Sequence, residues 1–243
     1  MIITDKYLTG PLNQITIKGE NIQIVKESKS LGVYIDNKLS WKKQASTISK
    51  SFNTKIKLLK RLDYLPLKVL EQIYYKTIIP SVVYCISVWR SCPPSTFDMI
   101  EAVHAKAAHL IYHLPKELDD YSSLERANWL PLNHIYNRRL LIIMKECKDG
   151  IKDERIRSLF KIKEHQRKGC LFEMIRPRKE IGRETVKFRG PVMWNKLSAT
   201  IRNNNSSIDS FKKQLKKEKV LKNISFRKEA FLNTNMDTNF VYF

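Results

Sequence analysis

Residues 31–41 read Leu31-Gly32-Val33-Tyr34-Ile35-Asp36-Asn37-Lys38-Leu39-Ser40-Trp41, and the chain changes its period across them. Upstream, apolar residues alternate with period two; downstream, they recur at helical spacing. Leu31, Val33 and Ile35 fall on one side of an extended chain, with Gly32, Tyr34 and Asp36 on the other. Asp36-Asn37 is turn chemistry, Ser40 is a candidate N-cap, and Trp41 opens a long amphipathic helix. The stretch predicts the last strand of a small sheet running directly into a helical domain. The expected fold class is therefore mainly α with a small N-terminal antiparallel β-sheet (α+β).

Upstream, Ile15–Lys18 and Ile22–Val25 alternate apolar and polar residues around Gly19-Glu20-Asn21, which predicts a hairpin. With the strand Leu31–Ile35 this makes about three strands, the usual minimum for a stable sheet. Met1-Ile2-Ile3 could add another, and neighbouring strands of this sheet are expected to lie upstream of the chain.

Downstream, Trp41, Ala45, Ile48, Phe52, Ile56, Leu59 and Leu62 follow one helix face. Lys42, Lys43, Lys50, Lys55, Lys57, Lys60 and Arg61 lie mostly off it. They form either a solvated basic face or a face that tracks a phosphate backbone. Leu65-Pro66 ends this helix, and a second begins near Leu67, with Pro80 as a possible kink. Pro93-Pro94 stops the run after Trp89. A third helix, about Ser95 to His113, buries Ile100, Val103, Ala107, Leu110, Ile111 and Leu114. Ser122–Leu130 reads as a short helix with Ser122 and Glu125 as a capping box. Ile135–Cys147, ended by Gly150, is another, and a short helix follows near Glu154–Phe160. Residues 161–189 crowd basic residues with few apolar partners, which reads as an extended, partly mobile segment or a solvated linker. Gly190-Pro191 then starts a helix with Trp194 and Leu197 facing inward, and the tail beyond Asn223 is polar and frayed.

The chain of 243 residues is 42% hydrophobic, which is enough for a packed core. A formal charge of +21 and a pI near 9.8 favour a polyanionic partner, nucleic acid before anionic membrane. Aromatics at 10% make stacking surfaces available. The start of the chain lacks a secretory h-region. Cys85, Cys92, Cys147 and Cys170 are scattered without close pairing, so an intracellular, non-secreted setting is expected, with nucleus or cytoplasm left open. The longest apolar run, Ile78–Trp89, is too short for a membrane span and reads as core.

Leu31–Trp41 resembles the end of the reverse transcriptase domain in non-LTR (LINE-type, jockey- or CR1-like) retrotransposons, where a strand of the type LGhxhDxxLxW, with h apolar, leaves the palm for the thumb. Leu31, Gly32, Asp36 and Trp41 match that pattern. Tyr74, Pro80, Tyr84-Cys85 and Trp89 match later positions. Gly190, Trp194, Asn195 and Leu197 resemble the family's Gly-x-x-x-Trp-Asn-x-Leu, although Ser198 stands where the family usually has proline. The likeness runs from about Met1 to Lys217. It implies a residual palm-edge sheet over 1–40, a thumb-like three-helix unit over 41–115 and post-thumb helices over 116–160. The basic segment 161–189, a C-terminal helical segment 190–220 and a tail 221–243 would follow. The implied partner is an RNA template or RNA–DNA hybrid, with target DNA as a further candidate and no membrane. Lys42, Lys43, Lys50, Lys55, Lys57 and Arg61, with Arg167, Lys168, Arg176, Arg178, Lys179 and Arg183, would supply the charge. Trp41, Tyr34 and Trp194 read as core residues rather than stacking platforms.

Such a polymerase needs palm carboxylates holding two divalent metals. Asp119-Asp120 lies between helices with no flanking strands and reads as a loop, and Asp36 belongs to the junction. No catalytic or metal site is therefore expected in this chain. Mg2+ would belong to a palm upstream, and the chain alone is expected to be inactive. Cys85-x6-Cys92 with His109-x3-His113 is too widely spaced for a zinc knuckle, and His104 reads as an ordinary structural histidine. No phosphate-binding glycine loop and no Gly-x-Ser-x-Gly elbow occur. The alternatives are a basic nucleic-acid-binding protein without catalysis, a helical interaction protein, or a transposon relic without a role.

Overall fold

The computed structural model describes residues 15–115, 117–165, 169–175, 177–178 and 180–215. It is mainly α-helical, with short antiparallel hairpins. The chain divides into two units, residues 1–136 and 137–243, and the division falls within one helix.

In the first unit, β1 (Ile15–Ile17) and β2 (Glu20–Ile22) pair across a two-residue turn, Lys18-Gly19, in which both residues take positive φ. β3 (Glu27–Ser30) and β4 (Val33–Asp36) form a second hairpin. The expected three-stranded sheet is thus two separate two-stranded ones. Leu31 and Gly32 are the turn between β3 and β4, at φ 46° and 82°, and do not belong to a strand. Positive φ at both central positions matches the twist of a tight hairpin, and Gly32 takes it without strain. Leu31 is therefore 88% exposed, while Val33 is buried. The strand β3, Glu-Ser-Lys-Ser, is exposed throughout, so it carried no apolar alternation to announce it. The proposed Met1–Ile3 strand lies outside the described residues.

Helix α1 (Lys42–Lys60) buries Gln44, Ala45, Ile48, Phe52 and Leu59, close to the expected stripe. Ser40 is not its N-cap: Trp41 takes that place in a left-handed conformation, φ 58°. The join is instead held by Asp36. Its carboxylate accepts the N–H groups of Lys38 (3.0 Å), Ser40 (3.0 Å) and Trp41 (2.9 Å) and the Ser40 hydroxyl (3.1 Å). The side chain of Gln44 accepts the N–H of Tyr34 at 2.9 Å and ties helix to strand.

Helix α2 (Leu67–Ile73) follows Pro66 and passes into a π-helical turn, Tyr74–Ile78, before α3 (Ile79–Val82). Pro80 has no N–H to continue an α-helical ladder, and the wider turn just before it absorbs the misfit. The short α4 (Ile86–Trp89) ends on Trp89, whose indole N–H reaches Tyr84 O at 2.8 Å. Helix α5 (Pro94–Tyr112) packs along α1. Phe52, Tyr74, His104 and Trp129 stack in a core cluster, with Tyr74 and Trp129 centroids 4.4 Å apart and nearly parallel. Helix α6 (Asp120–Arg126) is capped by Asp119, which accepts the N–H groups of Tyr121 and Ser122, and not by Ser122 as the capping-box pattern implied. The Asp119 carboxylate sits below the usual range because the N–H and hydroxyl of Ser122 donate to it. This pair of aspartates is a helix start.

The division between the units falls within α7 (Leu132–Lys148). The second unit continues with α8 (Glu154–Arg157), then β5 (Ile162–His165) and β6 (Gly169–Phe172). Next come α9 (Glu180–Arg183), α10 (Val186–Lys196), α11 (Ala199–Arg202) and α12 (Ile208–Leu215). The described residues of 161–189 therefore form a hairpin and helices, not an extended linker. Helix α10 begins at Val186 rather than at Gly190, and Arg189 is buried against Glu184 at 2.6 Å.

Phe160, Phe172, Trp194 and Phe211 make the core of this unit. Asn195 brackets the backbone of Phe172, accepting its N–H at 3.0 Å and donating to its carbonyl at 2.8 Å. Gly190 lets Met144 approach, since a Cβ there would meet the Met144 sulfur at 2.6 Å. The buried Lys145 ammonium is satisfied by Asp149 at 2.9 Å and by Asn204 O.

Candidate nucleic-acid interface

Between Asn37 and Leu62 the chain holds no aspartate or glutamate. At about 100° per residue, Lys42, Lys43, Lys50, Lys57, Lys60 and Arg61 fall within roughly 100° of arc opposite the buried stripe. All six are exposed. Lys43 meets Glu27 at 3.5 Å, both half in solvent, a pair of little net worth. The other five meet no carboxylate among the described residues. Their charges are fixed to a helix that is itself locked onto α5. Cations spaced about 1.5 Å per residue along a rigid rod can meet successive phosphates without first being ordered. Lys55 belongs to a different flank. It is half-buried and donates to the Ser81 hydroxyl at 2.6 Å, so it joins α1 to α3 rather than facing outward.

Of the basic positions in the second unit, Arg178 and Arg183 are exposed. Arg167, Lys168, Arg176 and Lys179 lie outside the described residues. The remaining signature residues are structural. Trp41, Trp89 and Trp194 are buried, and Asn195 holds β6. Tyr34 is half-buried, with Lys29 and Lys43 over its ring at 5.2 and 5.9 Å.

Among the described residues no three His, Cys, Asp or Glu side chains gather to hold a metal ion, and no helix is long and apolar enough to cross a membrane. Cys85 is a free thiol and Cys92 is buried, His109 meets the Ser123 hydroxyl at 2.6 Å, and His113 lies past the end of α5 beside Asp63. The i, i+4 histidine pair therefore does not share a helix face.

Two buried titratable groups stand beside one another on α5: Glu101, which no sequence pattern marks, and His104, expected as an ordinary structural histidine. Glu101 and His104, one turn apart on α5, clamp the backbone that starts α7. Glu101 accepts the N–H of Leu132 at 2.8 Å. His104 Nε2 donates to Leu130 O at 3.1 Å, so Nδ1 accepts the Tyr74 hydroxyl. Burial pushes Glu101 up to about 7, against the pull of the N–H groups it accepts, and burial pushes His104 down to about 4.

The two groups act on stability with opposite signs. The unfolded chain protonates its histidine below about 6.5, so stability falls as pH drops from there towards the folded value of His104. Protonated Glu101 contributes stability in full below about 4.5, lost as pH rises to about 7. Between these limits the slopes oppose and largely cancel. Glu101→Gln keeps an oxygen for Leu132 but removes one slope. Its unfolding free energy is expected to fall on acidification between pH 6.5 and 4.5 by about 1.4 kcal/mol per pH unit more than the parent's. Urea melts at several pH values check this, and parallel curves for the two proteins would refute it.

Comparison with protein-family models, with curated proteins and with solved structures finds no match.

Proposed function

We propose that this chain is a nucleic-acid-gripping module, the thumb and post-thumb part of a non-LTR retrotransposon reverse transcriptase. It would hold an RNA template or RNA–DNA hybrid by its phosphates. The observation that supports this best is the acid-free cationic arc of α1, fixed on a helix whose other face is buried. The net charge of +21 agrees with it. The order of the motifs from Leu31 to Leu197 supports the family reading, in which Mg2+ and catalysis belong to a palm outside this chain. Most cations of the arc meet no carboxylate among the described residues, so their charge is available to a polyanion.

Phosphate binding of this kind releases counterions and reads no sequence. With about six phosphates contacted, affinity for a labelled RNA–DNA duplex is expected to drop roughly 10³-fold between 50 and 200 mM salt. Fluorescence anisotropy over that range is the test. An affinity that stays flat would refute the proposal.

A further inference from the structure

The cationic arc ends at a tip that carries an aromatic ring. Helix α1 closes at Lys60, the chain turns through residues 61–66, and α2 leaves at Leu67. Tyr64 stands in that turn at 79% exposure. Neither its ring nor its hydroxyl meets a partner among the described residues. Its fold neighbours do not need it: Leu59 and Leu70 on either side supply the buried contacts. Three cations, Lys57, Lys60 and Arg61, lie within two helical turns before it, and Lys68 lies just after it; all are exposed. The one acid in the turn, Asp63, lies 3.5 Å from His113, both largely in solvent. Leu58 and Leu67, at 51% and 43% exposure, add apolar surface at the same end.

We infer that Tyr64 is a stacking platform for an unpaired base, placed where the cationic arc of α1 delivers a strand. The inference rests on the proposed phosphate-gripping role and adds a preference to it. A ring projecting from a turn can lie against the face of a base only where that base is free of its neighbours, as in single strands, loops and ends. Inside a duplex the faces are already covered. Lysines and an arginine beside an aromatic ring are the combination by which single-stranded nucleic acid is held without sequence readout. A protein pocket could also take a tyrosine, but the surrounding charge favours a polyanion.

The test uses the full chain with a single-stranded RNA oligomer carrying one 2-aminopurine, beside the same strand fully paired to DNA. Tyr64→Ala should weaken the single strand by at least about fivefold and abolish 2-aminopurine quenching. The paired probe should change by less than twofold, and the salt slope should stay the same. Tyr64→Phe should bind as the parent does, since the stacking face is kept. The ring is exposed, so the variants should melt with the parent. If the parent binds both probes and Tyr64→Ala leaves the single strand within twofold, the stacking role fails and the phosphate grip stands. Equal loss on both probes also overturns it. If the parent binds neither probe at low salt, both readings fall.

Discussion

Replacing Lys50, Lys57, Lys60 and Arg61 together by glutamine is expected to lower nucleic-acid affinity roughly 10³-fold at 0.1 M salt. Each cation that neutralises a phosphate adds about 0.9 to the slope of log affinity against log salt on duplex DNA, so four removed contacts lower the slope by about 3.6. The folded protein should be little changed. All four side chains are exposed, none meets a carboxylate among the described residues, and glutamine is a good helix former. A matched set outside α1, Lys106, Arg126, Lys187 and Lys213 to glutamine, removes the same charge. That set should lose far less affinity. Equal losses would mean that diffuse charge, not the face of α1, attracts the nucleic acid, and the interface would have to be abandoned.

Asp36→Ala is expected to destabilise the first unit by about 3 kcal/mol or more, since hydrogen bonds to a charged acceptor contribute about 1.5–3 kcal/mol each and these four act together. The same carboxylate compensates local strain. Leu39 and Trp41 hold positive φ, at 52° and 58°, a conformation that disfavours side chains with a Cβ. Without Asp36 the N–H groups of Lys38, Ser40 and Trp41 lose their acceptor, and the strand-to-helix join has nothing to hold it in this shape. Asp36→Asn should fall between, because one of its two oxygens becomes a donor facing donors.

The effect also has a pH signature. Burial raises the Asp36 pKa, but the three N–H groups and the Ser40 hydroxyl outweigh it and hold the carboxyl below its ordinary value. A depressed folded pKa contributes stability that is present above the unfolded value of about 3.9. It is lost as pH falls through the folded value. The gap between parent and Asp36→Ala in urea melts should therefore be full at pH 6 and shrink below pH 4. A gap that is the same at pH 2 as at pH 6 would show that the carboxylate charge contributes nothing to holding the join.

Local sequence carried the helices well. The stripe from Trp41 to Leu59 repeats every three or four residues because one face must be buried, and that face is buried here. The inward positions of Trp194 and Leu197 followed from the same spacing. Where the reading went wrong, the deciding contact was distant or the signal was not apolar. The strand Glu27–Ser30 is recognisable only by pairing with Val33–Asp36. The hairpin within 161–189 has Lys163 facing solvent, and Asn195, twenty-three residues beyond Phe172, holds its second strand.

The candidate interface divides in the same way. That α1 is cationic is a property of composition, readable without coordinates. Lys55 leaves the array already by its helical phase, about 120° beyond the arc, and Ser81, twenty-six residues away, is the partner it meets there; Arg189 is buried beside Glu184, five residues before it. The exposure of Tyr64 and the clamp made by Glu101 and His104 likewise depend on what the fold brings near, or fails to bring near. Periodicity and charge determined the helical character, the buried stripe of α1 and the cationic character of its other face, because these depend on neighbours within a few residues. Which cations stay exposed and which polar groups become structural was settled by the fold, because a side chain's partners are chosen by packing across the chain.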